Sequence, residues 1–246
     1  MQHSNKTERK EEKTKMGLLE AIKSRKSIRA FKPDQVPREV LTELLEVARW
    51  APSGTNTQPW EFFVLTEKVL DELSHAFVEK VRSGDIMKLQ PDIEMFKRPA
   101  KGIYGRREQK FFKQFLDLLE PEEGKTKMQN WFELSASRYC APALIIVVAD
   151  KSAPGWFIFD IGSITQTIAL AAQEFGLGTC ILGGVAYFPD VVRRIANIPE
   201  SKQVIIGIAI GYPDWDHPLN SLRTDRESVE ELVTWRGMAE EEEKKE

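Results

Sequence analysis

Two clusters of cations mixed with hydroxyl side chains stand near opposite ends of the chain: Arg25, Lys26 and Arg29 with Ser27, and Arg223 and Arg226 with Thr224. Arginine grips oxyanions bidentately, so convergence of the two clusters would make a site for a phosphate monoester. Kept apart, they are ordinary solvated charged faces. A third stretch, Ala51-Pro-Ser-Gly-Thr-Asn-Thr-Gln-Pro-Trp60, offers neutral hydrogen-bonding groups. Pro52 and Pro59 stop a helix or central strand from running through it, and Gly54 lets a ligand approach the backbone. Ser53, Thr55, Asn56, Thr57 and Gln58 donate and accept uncharged hydrogen bonds, which suits a flat heterocycle rich in acceptors. The same composition fits a plain surface turn. Trp60 argues that the stretch is anchored into a core.

Gly176-Leu-Gly-Thr-Cys-Ile-Leu-Gly-Gly184 looks at first like a dinucleotide-binding turn. That motif follows a strand and opens a helix, whereas this run follows a long helix and lacks the third glycine at the required spacing. Leu182-Gly183-Gly184 instead reads as bare backbone on which a planar ring could lie. A tight helix-to-strand turn accounts for Gly176 and Gly178, and less well for the Gly183-Gly184 pair. No Walker loop, nucleophile elbow, Cys/His pair or Ser/His pair is present. His3, His75, His217, Cys140 and Cys180 show no ligand spacing, so no structural metal is expected. A borrowed cofactor would supply the missing chemistry.

The elements that must position these groups follow from periodicity. Leu18, Leu19 and Ile22 open a short helix that runs into Ser24-Arg-Lys-Ser-Ile-Arg-Ala-Phe31, where polar and apolar residues alternate and the polar ones can share a side. Pro37 begins a second helix with Val40, Leu41, Leu44, Leu45 and Ala48 on its buried face. Glu61 to Thr66 reads as a strand. Residues 67–137 read as a variable, mobile helical excursion able to cover a substrate, with helical pieces at Lys68 to Val81 and Glu108 to Leu119. Ala143 to Ala149 is a strand buried on both faces. Asp160 to Phe175 is a buried helix with Gly176 after its end, Pro189 to Ala196 a short helix, and Val204 to Ile210 a second central strand. Val229, Leu232, Val233 and Trp235 suggest a last packed element. Residues 1–15 and 237–246 read as charged, solvated tails around one domain spanning 16–236.

At 246 residues with a net charge of −3, the chain can bury a sizeable core, and nothing global points to nucleic acid. No apolar run is long enough for a membrane span. Two cysteines flanked by apolar residues, with no signal peptide before them, are expected to be reduced thiols in the cytoplasm.

These pieces in this order resemble the FMN-dependent nitroreductase family: Ser24 to Phe31, Ala51 to Trp60, the Gly176 to Gly184 segment, Gly211-Tyr-Pro213, and Arg223-Thr-Asp-Arg226. The resemblance spans residues 17–236, weakest over 67–137. It implies an α+β fold, a three-layer α-β-α arrangement with a central mixed, mostly antiparallel sheet, and a homodimer with FMN at its interface. By position, Arg25, Lys26, Ser27 and Arg29 would contact FMN, with Arg226 and Arg223 at its phosphate. Pro52, Ser53, Gly54 and Asn56 would come from the partner subunit. Ile181, Leu182, Gly183 and Gly184 would lie along the isoalloxazine, the Gly183 amide donating to N5. Thr224 stands where family members often carry a lysine. The implied activity is hydride transfer from NADH or NADPH through FMN to nitroaromatics, quinones or similar flat small molecules by a ping-pong mechanism. No side chain is then needed as a nucleophile. Relatives of this kind also include reductive dehalogenases and flavin-fragmenting enzymes, and a flavin-binding module without turnover is a third reading.

Overall fold

The structure, a computed structural model, describes residues 17–84, 91–93 and 101–237. The charged tail at 1–15, and that at 237–246 apart from Gly237, lie outside the described residues, as do 85–90 and 94–100 of the 67–137 stretch.

The apolar run in the middle of the chain forms β2 (Ala143–Asp150), the inner strand to which β1 (Glu61–Thr66) and β4 (Lys202–Gly211) pair antiparallel; β3 (Gly178–Leu182) closes the far edge against β4. The order β1-β2-β4-β3 is antiparallel throughout, and the parallel component is a single bridge from Ser27 to Thr179. Side chains alternate across a strand, so β2 feeds two cores at once. Ala143, Ile145, Val147 and Ala149 enter one, while Leu144, Ile146 and Val148 enter the other. Each isoleucine buried in this way is worth roughly 2–3 kcal/mol. A register shift at Val147/Val148 takes up one extra residue of β4.

Against the first face pack α2 (Arg38–Ala48) and α6 (Phe157–Glu174); against the second pack α3 (Glu67–Arg82), α5 (Lys127–Ala136) and α7 (Pro189–Ala196), with Phe115 of α4 (Gly102–Asp117) in the same core. This is the expected three-layer arrangement. Ile161, Ile164, Ile168 and Ala172 line the buried stripe of α6. The helix ends as Gly176 turns left-handed at φ 69°, its amide donating to Gln173 and that of Leu177 to Ala172, a double-bonded stop that favours glycine. Pro189 opens α7 and Asn197, at φ 50°, ends it.

Three departures from the sequence reading concern function. Leu70, Leu73 and Phe77 of α3 are buried in the second core, so the start of the 67–137 stretch is an inner layer rather than an excursion. The glycine-rich run contains a full edge strand, β3, which its composition hides. Val229, Leu232, Val233 and Trp235 are not buried among the described residues: α8 (Val229–Leu232) has no buried residue, and Trp235 is 64% exposed. In the arm beyond Arg223 no described residue is buried. The helix α1 (Leu18–Ser24) is likewise unburied.

Candidate functional site

The segment after α1 is held on the sheet edge by the Ser27–Thr179 bridge, by Ile28 donating its amide to Thr179 at 2.9 Å, and by the buried Ile28 side chain. Gly178 makes this approach possible. A Cβ there would stand 2.4 Å from Ile28 Cγ1 and 2.7 Å from Pro213 Cγ. Gly178→Ala is therefore expected to cost about 2 kcal/mol by overpacking and to push the Arg25–Arg29 segment off β3. Urea unfolding checks it; an unchanged midpoint would show that the segment gives way freely.

Folding does bring the two basic clusters together. Arg25, Lys26, Ser27 and Arg29 line a cleft of about 530 Å³ with Arg223, Thr224 and Arg226, and no carboxylate is among its lining residues. Burial and the facing Arg226 hold the Arg25 guanidinium below its ordinary value, and burial and the facing Arg223 do the same to Lys26. Like charges crowded and partly desolvated in this way await an anion.

Asn220, which sequence reasoning missed, is the tie between the clusters. Its buried side chain accepts from the Arg29 amide at 2.7 Å and donates to the carbonyls of Ala30 and Asp214 at 2.7 Å each. Its own carbonyl accepts from Lys26 Nζ at 2.5 Å. Lys26 also lies 4.6 Å over the Trp215 ring. A lone asparagine in a polar stretch carries no sequence signal for such a role, because its partners lie up to 194 residues away.

A second cleft of about 340 Å³ shares Arg29 and Phe111 with the first and is lined by Ile181, Leu182, Gly183 and Gly184. Aromatic side chains wall it, among them Phe112, Trp131, Tyr139 and Tyr187. Arg29 sits 5.3 Å from the rings of Phe111 and Phe115, positions that hold a guanidinium by cation–π attraction. The Tyr139 hydroxyl lies against Arg29 and Trp131. Burial pushes its phenol up to about 12, whereas the unfolded chain titrates near 10. The stability contributed by the protonated phenol is thus fully present below pH 10 and is lost as pH rises to about 12. Urea unfolding at several pH values between 9 and 12 should show wild type losing stability more steeply than Tyr139→Phe; equal slopes would exclude a buried phenol. The Cys180 thiol, which burial also pushes up, faces Ser27 and Arg29. Both Cys140 and Cys180 are free.

The remaining predicted residues stand elsewhere. Pro52, Ser53, Gly54 and Asn56 line neither cleft of their own chain. Their loop is anchored by buried Trp60 and by the Gly54 amide donating to buried Asp160 at 3.1 Å, another residue that sequence reasoning missed. Thr55, Asn56 and Gln58 all hold positive φ, between 44° and 59°, conformations that cost of order 1–3 kcal/mol each and cluster at contact sites. On α4, outside the predicted set, Tyr104 is exposed, and Arg107 is ion-paired with Glu227. Among the described residues no group of His, Cys, Asp and Glu could hold a metal ion, and no helix is long and apolar enough to cross a membrane.

Sheet and clefts together define a three-layer α+β protein with an open cationic site beside its edge strand β3. The chain belongs to the nitroreductase family, whose model, described as "Nitroreductase family", matches residues 22–212. It is 30% identical to the chloronitrobenzene nitroreductase of Comamonas testosteroni, over 87% of this chain and 94% of that one. It is 29% identical to the iodotyrosine deiodinase of Thermotoga neapolitana, over 82% and 91%. Among solved structures, the FMN-dependent nitroreductase NfnB of Mycobacterium smegmatis in complex with NADPH superposes with a TM-score of 0.79 at 27% identity, covering 88% of this chain and 96% of that one.

Proposed function

We propose that the protein is an FMN-dependent oxidoreductase that uses NADH or NADPH to reduce nitroaromatics, quinones or similar flat acceptors. The observation that carries this reading is the meeting of Arg25 with Arg226 and of Lys26 with Arg223 in a cleft without carboxylates, continuous with an aromatic-walled cleft floored by Ile181 to Gly184. A phosphate monoester fits the first, and a planar ring system fits the second. FMN held there would supply the hydride chemistry between NAD(P)H and an acceptor, in a ping-pong sequence.

In this reading Arg25, Arg223 and Arg226 hold the phosphate, with Lys26 and Ser27 beside them. Arg29, fixed between Phe111, Phe115 and Tyr139, would bring a positive charge to the ring and stabilise negative charge developing on it. The backbone of Ile181 to Gly184, which lines the second cleft, would hold the ring, with the Gly183 amide as a donor to it. The catalytic work is binding, orientation and charge placement, and no protein nucleophile is assigned.

A homodimer completes the site. The exposed apolar residues of α1 and of the arm, including Leu18, Leu19, Leu232 and Trp235, suit burial against a second copy. The partner's loop would then bring Pro52, Ser53, Gly54 and Asn56 to the cleft that they do not reach in their own chain.

The visible absorption spectrum of the purified protein tests the reading. Flavin bands that bleach on anaerobic addition of NADH or NADPH are expected. A protein that stays colourless after incubation with FMN would refute it, and bands that neither nucleotide bleaches would leave a flavin-binding module without turnover.

A further inference from the structure

Residues 222–228 belong to no helix or strand and include no buried residue. Asp225 pairs with Lys110, and Glu227 pairs with Arg107 at 2.7 Å, while Arg226 between them lines the cationic cleft and faces Arg25. Lys110 and Arg107 stand three residues apart on α4, hence on one face of that helix. These two pairs are the polar ties described between α4 and the arm. The arm beyond Arg223 makes its other described hydrogen bonds within itself: the Arg226 guanidinium donates to the Thr224 hydroxyl at 2.9 Å and to the Asp225 carbonyl at 2.7 Å. The same helix α4 places Phe111 in both clefts, against Arg29.

We propose that Asp225 and Glu227 are positioning residues that couple cofactor phosphate binding at Arg226 to the placement of α4 across the cleft. Fixing Arg226 on a phosphate fixes the two carboxylates on either side of it, and these hold Lys110 and Arg107. Phe111, next to Lys110 in sequence, is thereby set against Arg29 and the aromatic wall where the ring lies. The inference rests on the FMN reading above.

The sign of one measurement separates this coupling from plain electrostatics. Asp225 and Glu227 are negative charges beside a phosphate site, so through-space repulsion alone predicts that Asp225→Asn with Glu227→Gln tightens FMN binding. The coupling predicts the opposite. An exposed ion pair shifts an equilibrium by up to about fivefold, so the double variant should bind FMN about five- to tenfold more weakly in a flavin-fluorescence titration. Hydrogen exchange supplies the second readout. Saturating FMN should slow exchange of the 102–117 amides in wild type, and the double variant at saturating FMN should lose most of that protection, with its apo thermal midpoint close to wild type. Equal or tighter binding in the variant, or equal protection of α4, would overturn the coupling while leaving the FMN reading intact. A wild-type protein that does not bind FMN would overturn both.

Discussion

Replacing Arg25 with alanine is expected to weaken FMN binding about a hundredfold. Removing one partner of a partly desolvated, charge-assisted pair costs about 2–5 kcal/mol, and each 1.4 kcal/mol is a factor of ten. Arg25 suits the lower half of that range. It is half-buried rather than sealed, and other cations of the cleft remain to hold a dianion. Arg25→Lys keeps the charge but loses the planar fork, so a loss of about tenfold is expected. The apo protein should respond in the other direction. Burial and Arg226 both disfavour the Arg25 charge before an anion arrives, so the alanine variant without cofactor should melt at the same temperature as wild type or higher. This combination, weaker holo complex and undamaged apo protein, is the signature of a residue whose cost is offset by its ligand. Fluorescence titration and thermal unfolding check the two halves. An FMN affinity within threefold of wild type would remove Arg25 from the phosphate site.

The other large effect concerns stability. Arg138→Ala should destabilise the protein by about 3 kcal/mol, because truncation leaves a void and strips partners from buried carbonyls. Arg138 is 1% exposed, donates to Ser74 Oγ at 2.8 Å, to the Ala136 carbonyl at 2.5 Å and to the Leu73 carbonyl at 3.1 Å, and stacks 4.9 Å over Phe77. No carboxylate pairs with it among the described residues, and its Nε has no partner. Filling the same volume with Met should therefore cost much less than Ala, since the desolvated charge goes too. Burial pulls the guanidinium down to about 9. The unfolded chain thus holds a proton that the folded chain releases between about pH 9 and the ordinary value above 12, and wild-type stability relative to Arg138→Met should rise with pH through that window. Urea unfolding of both proteins from pH 8 to 11 measures it; a pH-independent difference would show that the buried guanidinium keeps its proton throughout. Arg138, Tyr139 and Cys140 all have φ of 55°, a left-handed turn of three non-glycine residues that costs roughly 1–2 kcal/mol each. The turn buries Arg138 on one side and delivers Tyr139 to Arg29 on the other.

What the sequence determined by itself is what neighbours along the chain can encode. The two-faced apolar run gave β2 its place at the centre, the apolar stretch after Trp60 read as β1 with its observed limits, and Pro189 with the following pattern marked α7. The helix stop at Gly176 and the anchoring of the 51–60 loop by Trp60 were legible for the same reason. So were the cationic clusters, as residue types. Their convergence was not, because it depends on pairings 190 to 194 residues apart through Asn220, and on a close approach at Gly178 whose reason lies in Ile28 and Pro213. Only tertiary structure decided that a glycine-rich run is an edge strand, that α3 is an inner layer, that the arm's apolar residues stay exposed, and that an arginine in Ser137-Arg-Tyr-Cys140 is fully buried. Side-chain periodicity specifies which face an element buries. Which surface meets that face, and which charges are left to confront one another beside β3, is fixed by packing between distant segments, to which no local pattern has access.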